Sequence, residues 1–294
     1  MDILTSYSFI LIALSTFLLA SASGAVGAVS VFKSQSLIGD AIGHATYPGI
    51  VLAFMLTLSK DTMTMMIGAV ISGGVAYGLI QIIDQHSKLN LDAILAIILS
   101  SFFGFGMVLK SNISGNPRFK GASQAGLKNY LFGQASYIME NDLKIILIVA
   151  LISIFILILF KKEIKLFVFD EVYAKTVGIK PVILYSIILV MTMSLIAVGL
   201  KLVGTILIAS ILIVPSIAAM QWTHRFERVL ILSGIFGGIS AVIGTYVSTK
   251  YNGMSTGPTI ILTLSIIALL SMLFGKKGIV QKTLMPKKGG EFND

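Results

Sequence analysis

Long apolar runs, separated by short polar or charged intervals, fill most of the chain. They lie near residues 9–29, 41–59, 63–84, 92–110, 143–160, 182–200, 203–222, 229–249 and 259–274. About 20 apolar residues in a helix cross the roughly 30 Å of bilayer hydrocarbon. The pattern therefore predicts an all-α polytopic membrane protein with eight to nine transmembrane helices. The count is open because Pro215, and the nearness of Lys201, make 203–222 read as a broken or re-entrant element. Two connections are too long to be turns. Residues 111–142 are polar and glycine-rich. Residues 161–181, "KKEIKLFVFDEVYAKTVGIKP", alternate charges with Leu166, Phe167, Phe169, Val172 and Val177. This second stretch predicts one or two short helices lying flat on the membrane surface. Asp170 and Glu171 suit the start of the second helix and Gly178 its end, and Lys180–Pro181 closes the unit before the next span.

Composition agrees. The chain has 294 residues, of which 56% are hydrophobic and 12% charged, with a mean hydropathy of +0.94. An ordinary soluble domain is about 25% charged. The net charge of +9 raises the question of nucleic acid. The basic residues, however, sit between the apolar runs and read as topology signals. With the N-terminus outside and nine spans, the inner side holds 14 of the 22 lysines and arginines and the outer side 8. The first run has no basic flank before it and reads as span one, not as a cleavable signal. Residues 1–275 form the expected membrane domain, and 276–294 a basic cytoplasmic tail expected to be disordered. No cysteine is present, so disulfides and thiolate metal sites are excluded.

Within the second run, "LIGDAIGHATYPG" carries Asp40 and His44. An ionised aspartate at mid-bilayer costs about 2.5–3.5 kcal/mol on insertion scales. A chain that keeps one there has a partner, a water path or a function for it. Helical spacing of four puts both side chains on one face. A carboxylate oxygen and an imidazole nitrogen together suit a divalent first-row cation. Two ligands hold a metal weakly, and a twofold dimer with this face on its axis would supply four. Pro48 has no N–H, so the His44 carbonyl loses its helical partner and is open to water or a passing ion. The plainer readings are that Asp40 caps a helix starting at Ala41 and that His44 is a packing histidine.

The other motifs carry less. "GASQAGLK", Gly121 to Lys128, has the glycine spacing of a phosphate loop, but Leu127 stands where lysine is required. Hydrolysis of ATP is therefore not expected in this chain, and energy must come from a partner or an ion gradient. No His-Glu-x-x-His run exists. His86 and His224 read as surface-loop residues. The spacings Gly234–Gly238 and Gly237–Ala241 signal close helix packing, with a dimer seam as the lesser reading. The 13 methionines read as core or lipid-facing filler, and Trp222 as an interfacial anchor.

"SLIGDAIGHATYPGIVLAF" resembles the signature of permease subunits in the manganese/zinc/iron ABC importer family, with Gly39, Asp40, Ala41, His44, Ala45, Pro48 and Gly49 in register. Gly43 replaces a frequent serine and Thr46–Tyr47 an apolar pair. "QAGLKNYLFGQAS" (124–136) is similar to the family's loop before its fifth span, and "VGTILIASILIVPSIAA" (203–219) to its small-residue stretch. "FDEVYAKTVGI" (169–179) is similar to its coupling segment, through Phe169, Asp170, Ala174 and Gly178. The resemblance implies a type II ABC importer-like permease in the prokaryotic plasma (inner) membrane. It implies a homodimer enclosing the path, two ABC ATPase subunits docked on 161–181, and an extracellular metal-binding protein on the outer face. Asp40 and His44 would contact the ion in transit. The cargo expected is Mn2+, with Zn2+ or Fe2+ next, and no permanent cofactor or nucleic acid. The alternative is a secondary transporter that couples a divalent cation to protons through Asp40 and His44. It has no need of an ATPase-docking segment. An intramembrane enzyme is a third reading, for which no assembled acid, base and nucleophile is visible.

Overall fold

The computed structural model describes residues 6–58, 61–116, 119, 133, 135, 138–251, 254–276, 278 and 280. The described elements are all helices: α1 (Tyr7–Phe32), α2 (Ser36–Thr57), α3 (Thr62–His86), α4 (Leu91–Gly115), α5 (Glu140–Leu159), α6 (Lys161–Phe169), α7 (Glu171–Thr176), α8 (Pro181–Val203), α9 (Thr205–Met220), α10 (Phe226–Lys250) and α11 (Thr256–Phe274). Eight of them are long and apolar enough to cross a membrane. The loop read at 124–136 falls almost wholly outside the described residues. The "GASQAGLK" string and nearly all of the tail do so too.

Polar side chains at the helix ends fix which ends lie together. At one end Tyr7 donates to Glu140, joining the starts of α1 and α5. There Lys201, near the end of α8, sits 2.5 Å from Asp142 of α5, and Thr62 of α3 donates to the same carboxylate at 2.6 Å. At the other end Lys33 meets Glu171 at 2.7 Å and Lys165 meets Glu227 at 2.8 Å. Phe32, Phe169 and Phe226 stack there, with ring centroids 5.3–6.0 Å apart. This end gathers Lys161, Lys162, Lys165, Lys175, Lys180, Arg225 and Arg228. The positive-inside rule makes it cytoplasmic.

The stretch read as broken is α9. It has 16 residues, roughly 24 Å at 1.5 Å per residue, too short for the full hydrocarbon thickness. Gly204, at φ 89°, turns the chain directly from α8 into α9. The Thr205 carbonyl then faces Gly43 in α2 instead of the outer helix ends. At its far end Gln221 packs on Gly275 after α11, and α10 starts at the cytoplasmic Phe226 cluster. So α9 begins inside the bundle and still returns the chain to the cytoplasmic side. Pro215 lies inside it, and the Ser216 hydroxyl donates 3.2 Å to the Gly24 carbonyl of α1.

Small residues set the closest approaches, as expected where dispersion packing joins helices in lipid. A Cβ at Gly27 would lie 1.9 Å from the Leu212 carbonyl oxygen, so α9 passes backbone to backbone over α1. Gly237 meets the Ala20 carbonyl, and a Cβ there would lie 2.4 Å from it. The Gly234–Gly238 stripe thus packs α10 on α1 within one chain, the plainer of its two readings. Gly27→Ala should destabilise by about 1–3 kcal/mol through overpacking, read as a lower unfolding midpoint in detergent. An unchanged midpoint would mean that α9 does not approach α1 this closely.

Candidate functional site

Helix α2 begins at Ser36, five residues before the apolar run suggests, so Asp40 lies in its second turn and does not cap it. The cap position is Gln35, which makes no side-chain capping bond. Asp40 Oδ1 and His44 Nε2 are 3.6 Å apart on the same face, with side chains 34% and 14% exposed. His44 stands edge-on to Phe103 of α4, with ring centroids 5.0 Å apart. Its Nδ1 is buried without a hydrogen-bond partner. The Asp40 carboxylate is the more open of the two. Among the described residues no three or more His, Asp or Glu side chains gather in one place. One described chain therefore brings together one carboxylate and one imidazole.

Close packing holds α2 from Gly43 onward. Pro48 is inside α2 and stacks against Gly106, where a Cβ would lie 3.1 Å from the proline nitrogen. Ser72 of α3 donates 2.6 Å to the Ala45 carbonyl, and Thr46 donates 2.6 Å to the Gly43 carbonyl. Gly49 and Gly68 bring α2 and α3 into backbone contact; a Cβ on Gly49 would be 2.0 Å from the Gly68 oxygen. Gly43 serves a similar end on the α9 side. A Cβ there would lie 3.3 Å from Ile208, so α9 packs closely on the helix that carries His44.

The 161–181 stretch forms two short helices, one of the two forms that the sequence pattern predicts. Helices α6 and α7 meet at Asp170, whose carboxylate accepts from the Tyr173 N–H at 2.8 Å and caps α7. At its far end Gly178 takes φ 84°. The Ile179 N–H reaches the Ala174 carbonyl at 3.0 Å and the Gly178 N–H the Lys175 carbonyl at 3.1 Å. This is the paired bonding of a Schellman ending. Ala174 is fully buried. Three of the four residues singled out here, Asp170, Ala174 and Gly178, thus build the element. Its outward surface is Val172, Tyr173 and Val177, with Phe169 at the corner, all more than half exposed. The sequence pattern marked Phe169, Val172 and Val177 as apolar positions between charges, but not Tyr173, and not which of them face out.

Lys33 clamps this unit to the bundle. Its ammonium bonds Glu171 at 2.7 Å and lies 3.9 Å from the Phe167 ring centroid. The hydrogen bond from Lys33, aided by Lys175, holds the Glu171 carboxyl below its ordinary value. A depressed carboxylate adds stability above its unfolded-state pKa, and that contribution is lost as pH falls through the folded value.

Residues 6–275 match the ABC 3 transport family. The chain belongs to that family. It is 35% identical to the zinc transport system membrane protein TroC of Treponema pallidum over 281 residues, covering 95% of this chain and 93% of that one. It is 38% identical to the manganese transport system membrane protein MntC of Bacillus subtilis over 271 residues, 92% of this chain but 61% of the longer relative. A chelated iron transport system membrane protein, YfeD of Yersinia pestis, is 30% identical and covers 87% of this chain. Among solved structures, PsaBC from Streptococcus pneumoniae in complex with Fab superposes with a TM-score of 0.84 at 27% identity, covering 96% of this chain and 97% of that one. The family resemblance read from the motifs therefore holds, as does the fold class. This is a metal-transporting ABC permease of the bacterial plasma membrane, made of many membrane-crossing helices.

Proposed function

We propose that two copies of this chain enclose the path of an ATP-driven importer for a divalent transition metal. Asp40 and His44 of each copy touch the ion in transit. The observation that carries this reading is the 3.6 Å pair of unlike ligands on one partly open face of α2. Two such faces across a twofold axis supply two carboxylates and two imidazoles, an O2N2 set. Such a set binds Mn2+, Zn2+ or Fe2+ by geometry and availability more than by raw affinity. Pro48 leaves the His44 carbonyl without its helical N–H donor, which adds an oxygen to the same wall. Mn2+ is the first cargo on the form of the motif. Relatives named for manganese, zinc and chelated iron support the class of cargo.

The exposed apolar face of α7 docks a separate ATPase subunit, and a metal-loaded binding protein delivers the ion to the opposite end. The chain itself hydrolyses nothing. The test is purification with the ATPase partner and uptake into liposomes across Mn2+, Zn2+ and Fe2+. ATP-dependent uptake of one of these supports the reading. Uptake that persists without the ATPase overturns it in favour of a secondary transporter.

Gly178→Val probes the docking element. A β-branched residue at φ 84° is strained by about 1–2 kcal/mol, and the Schellman ending of α7 opens. ATPase co-purification should weaken while metal binding to the permease persists. Equal loss of both would remove the separate docking role.

A further inference from the structure

Resting on that reading, we propose that Lys33 is a positioning residue that ties the ATPase-docking helices to the first turns of α2, so that a displacement of α7 is passed to Asp40. Lys33 belongs to the three-residue connection between α1 and α2, yet its ammonium is held by the surface unit. It bonds Glu171 of α7 at 2.7 Å and the Phe167 carbonyl of α6 at 3.4 Å. It also lies 3.9 Å from the Phe167 ring centroid and 5.2 Å from that of Tyr185 on α8. Its side chain is only 15% exposed. The Glu171 carboxylate is 33% exposed, so the ion pair alone is a modest tie; the Phe167 ring and carbonyl add to it and fix where the ammonium sits.

The start of α2 is the part of that helix free to follow. Ser34 takes φ 58°, and Gln35 supplies no side-chain cap. A crevice of about 40 Å³, lined by Ser30, Gln35, Gly39, Tyr77, Tyr185 and Thr192, lies against the first two turns. It is large enough for a water molecule, and thus for a small shift of the helix. Further along, α2 is pinned to α3 by the Gly49–Gly68 contact and the Ser72 bond to Ala45. Asp40 is on the loose side of that pin. Asp40 and His44 are one turn apart, so a tilt of the first turns changes the spacing of the two ligands. Lys175 also reaches Glu171, at 3.2 Å, so removing Lys33 leaves that carboxylate partnered and the surface unit folded.

The test uses the complete importer in liposomes, with Mn2+ as probe and ATP hydrolysis measured alongside uptake. Lys33→Met should still co-purify with the ATPase and hydrolyse ATP. Mn2+ moved per ATP should fall about fivefold or more, the scale of a long-range coupling. Lys33→Glu alone should fall likewise, and the swapped pair Lys33→Glu with Glu171→Lys should recover part of the ratio, because Lys175 and the Phe167 carbonyl oppose the reversed charges. A merely structural role would lower uptake and hydrolysis together and leave the ratio unmoved. An unchanged ratio in Lys33→Met, or a swapped pair that assembles but stays uncoupled, overturns the proposal alone. Wild-type uptake without any ATPase overturns the underlying reading, and the proposal with it.

Discussion

Asp40→Asn and His44→Ala should each reduce metal uptake by at least about 100-fold in the reconstituted importer, with folded yield unchanged. Outer-shell partners of metal sites already cost 10–100-fold when removed, so a direct ligand should cost no less. The fold should survive because the pair contributes little to it. A part-exposed ion pair is worth about 1 kcal/mol or less, and Asp40 is 34% exposed. Asparagine keeps the shape and hydrogen bonding of the acid but loses the charge that draws a dication. Alanine at 44 removes the nitrogen and leaves the packing of Phe103 on Tyr47, 6.0 Å between centroids, in place. Uptake assays paired with thermal unfolding separate the two effects. Normal transport in both variants would remove the ligand assignment.

The largest effect on the fold should come from the outer end. Asp142→Ala should destabilise by about 3–5 kcal/mol, because it leaves a mostly buried lysine without its counter-ion. Asp142 is 5% exposed. Its carboxylate accepts from Lys201, Thr62 and the Met139 N–H, so one side chain gathers α3, α5 and α8. Asp142→Asn keeps most of that geometry and should lose less, about 1.5–3 kcal/mol, the worth of hydrogen bonds to a charged group. Replacing Asp142 and Lys201 together by leucine should recover much of the loss, since two apolar groups leave no buried charge. Unfolding in detergent, with a double-mutant cycle over these two positions, reads all three. Equal small losses for every variant would mean that the pair is solvated and adds nothing.

How much of this could be read from the chain depends on the range of the interaction. Spans were legible because burial in lipid needs a continuous apolar run, which survives in one dimension. So was the surface unit, where Asp170, Gly178 and Pro181 act within a few residues of themselves. The start of α2 was less so. "SQS" (34–36) is too polar to extend a hydropathy run, and the first turns of α2, from Ser36, pack against α3, α8 and α9. That moved Asp40 from a possible cap to the second turn. The brevity of α9 was signalled by Pro215, but not that Gly204 starts it inside the bundle. The partners of Lys33 and Lys201 were not legible, because they lie 138 and 59 residues away. No local signal announces such pairs. The shared face of Asp40 and His44 was visible through helical spacing, whereas their burial and the neighbour Phe103 needed the fold.

The most direct test of the central claim is pulsed electron paramagnetic resonance of Mn2+ bound to the purified importer. The account expects nitrogen couplings from imidazole in the wild type and their loss in His44→Ala. It also expects one bound ion for every two permease chains. Nitrogen couplings that persist unchanged in His44→Ala, or one ion held by each chain on its own, would contradict it.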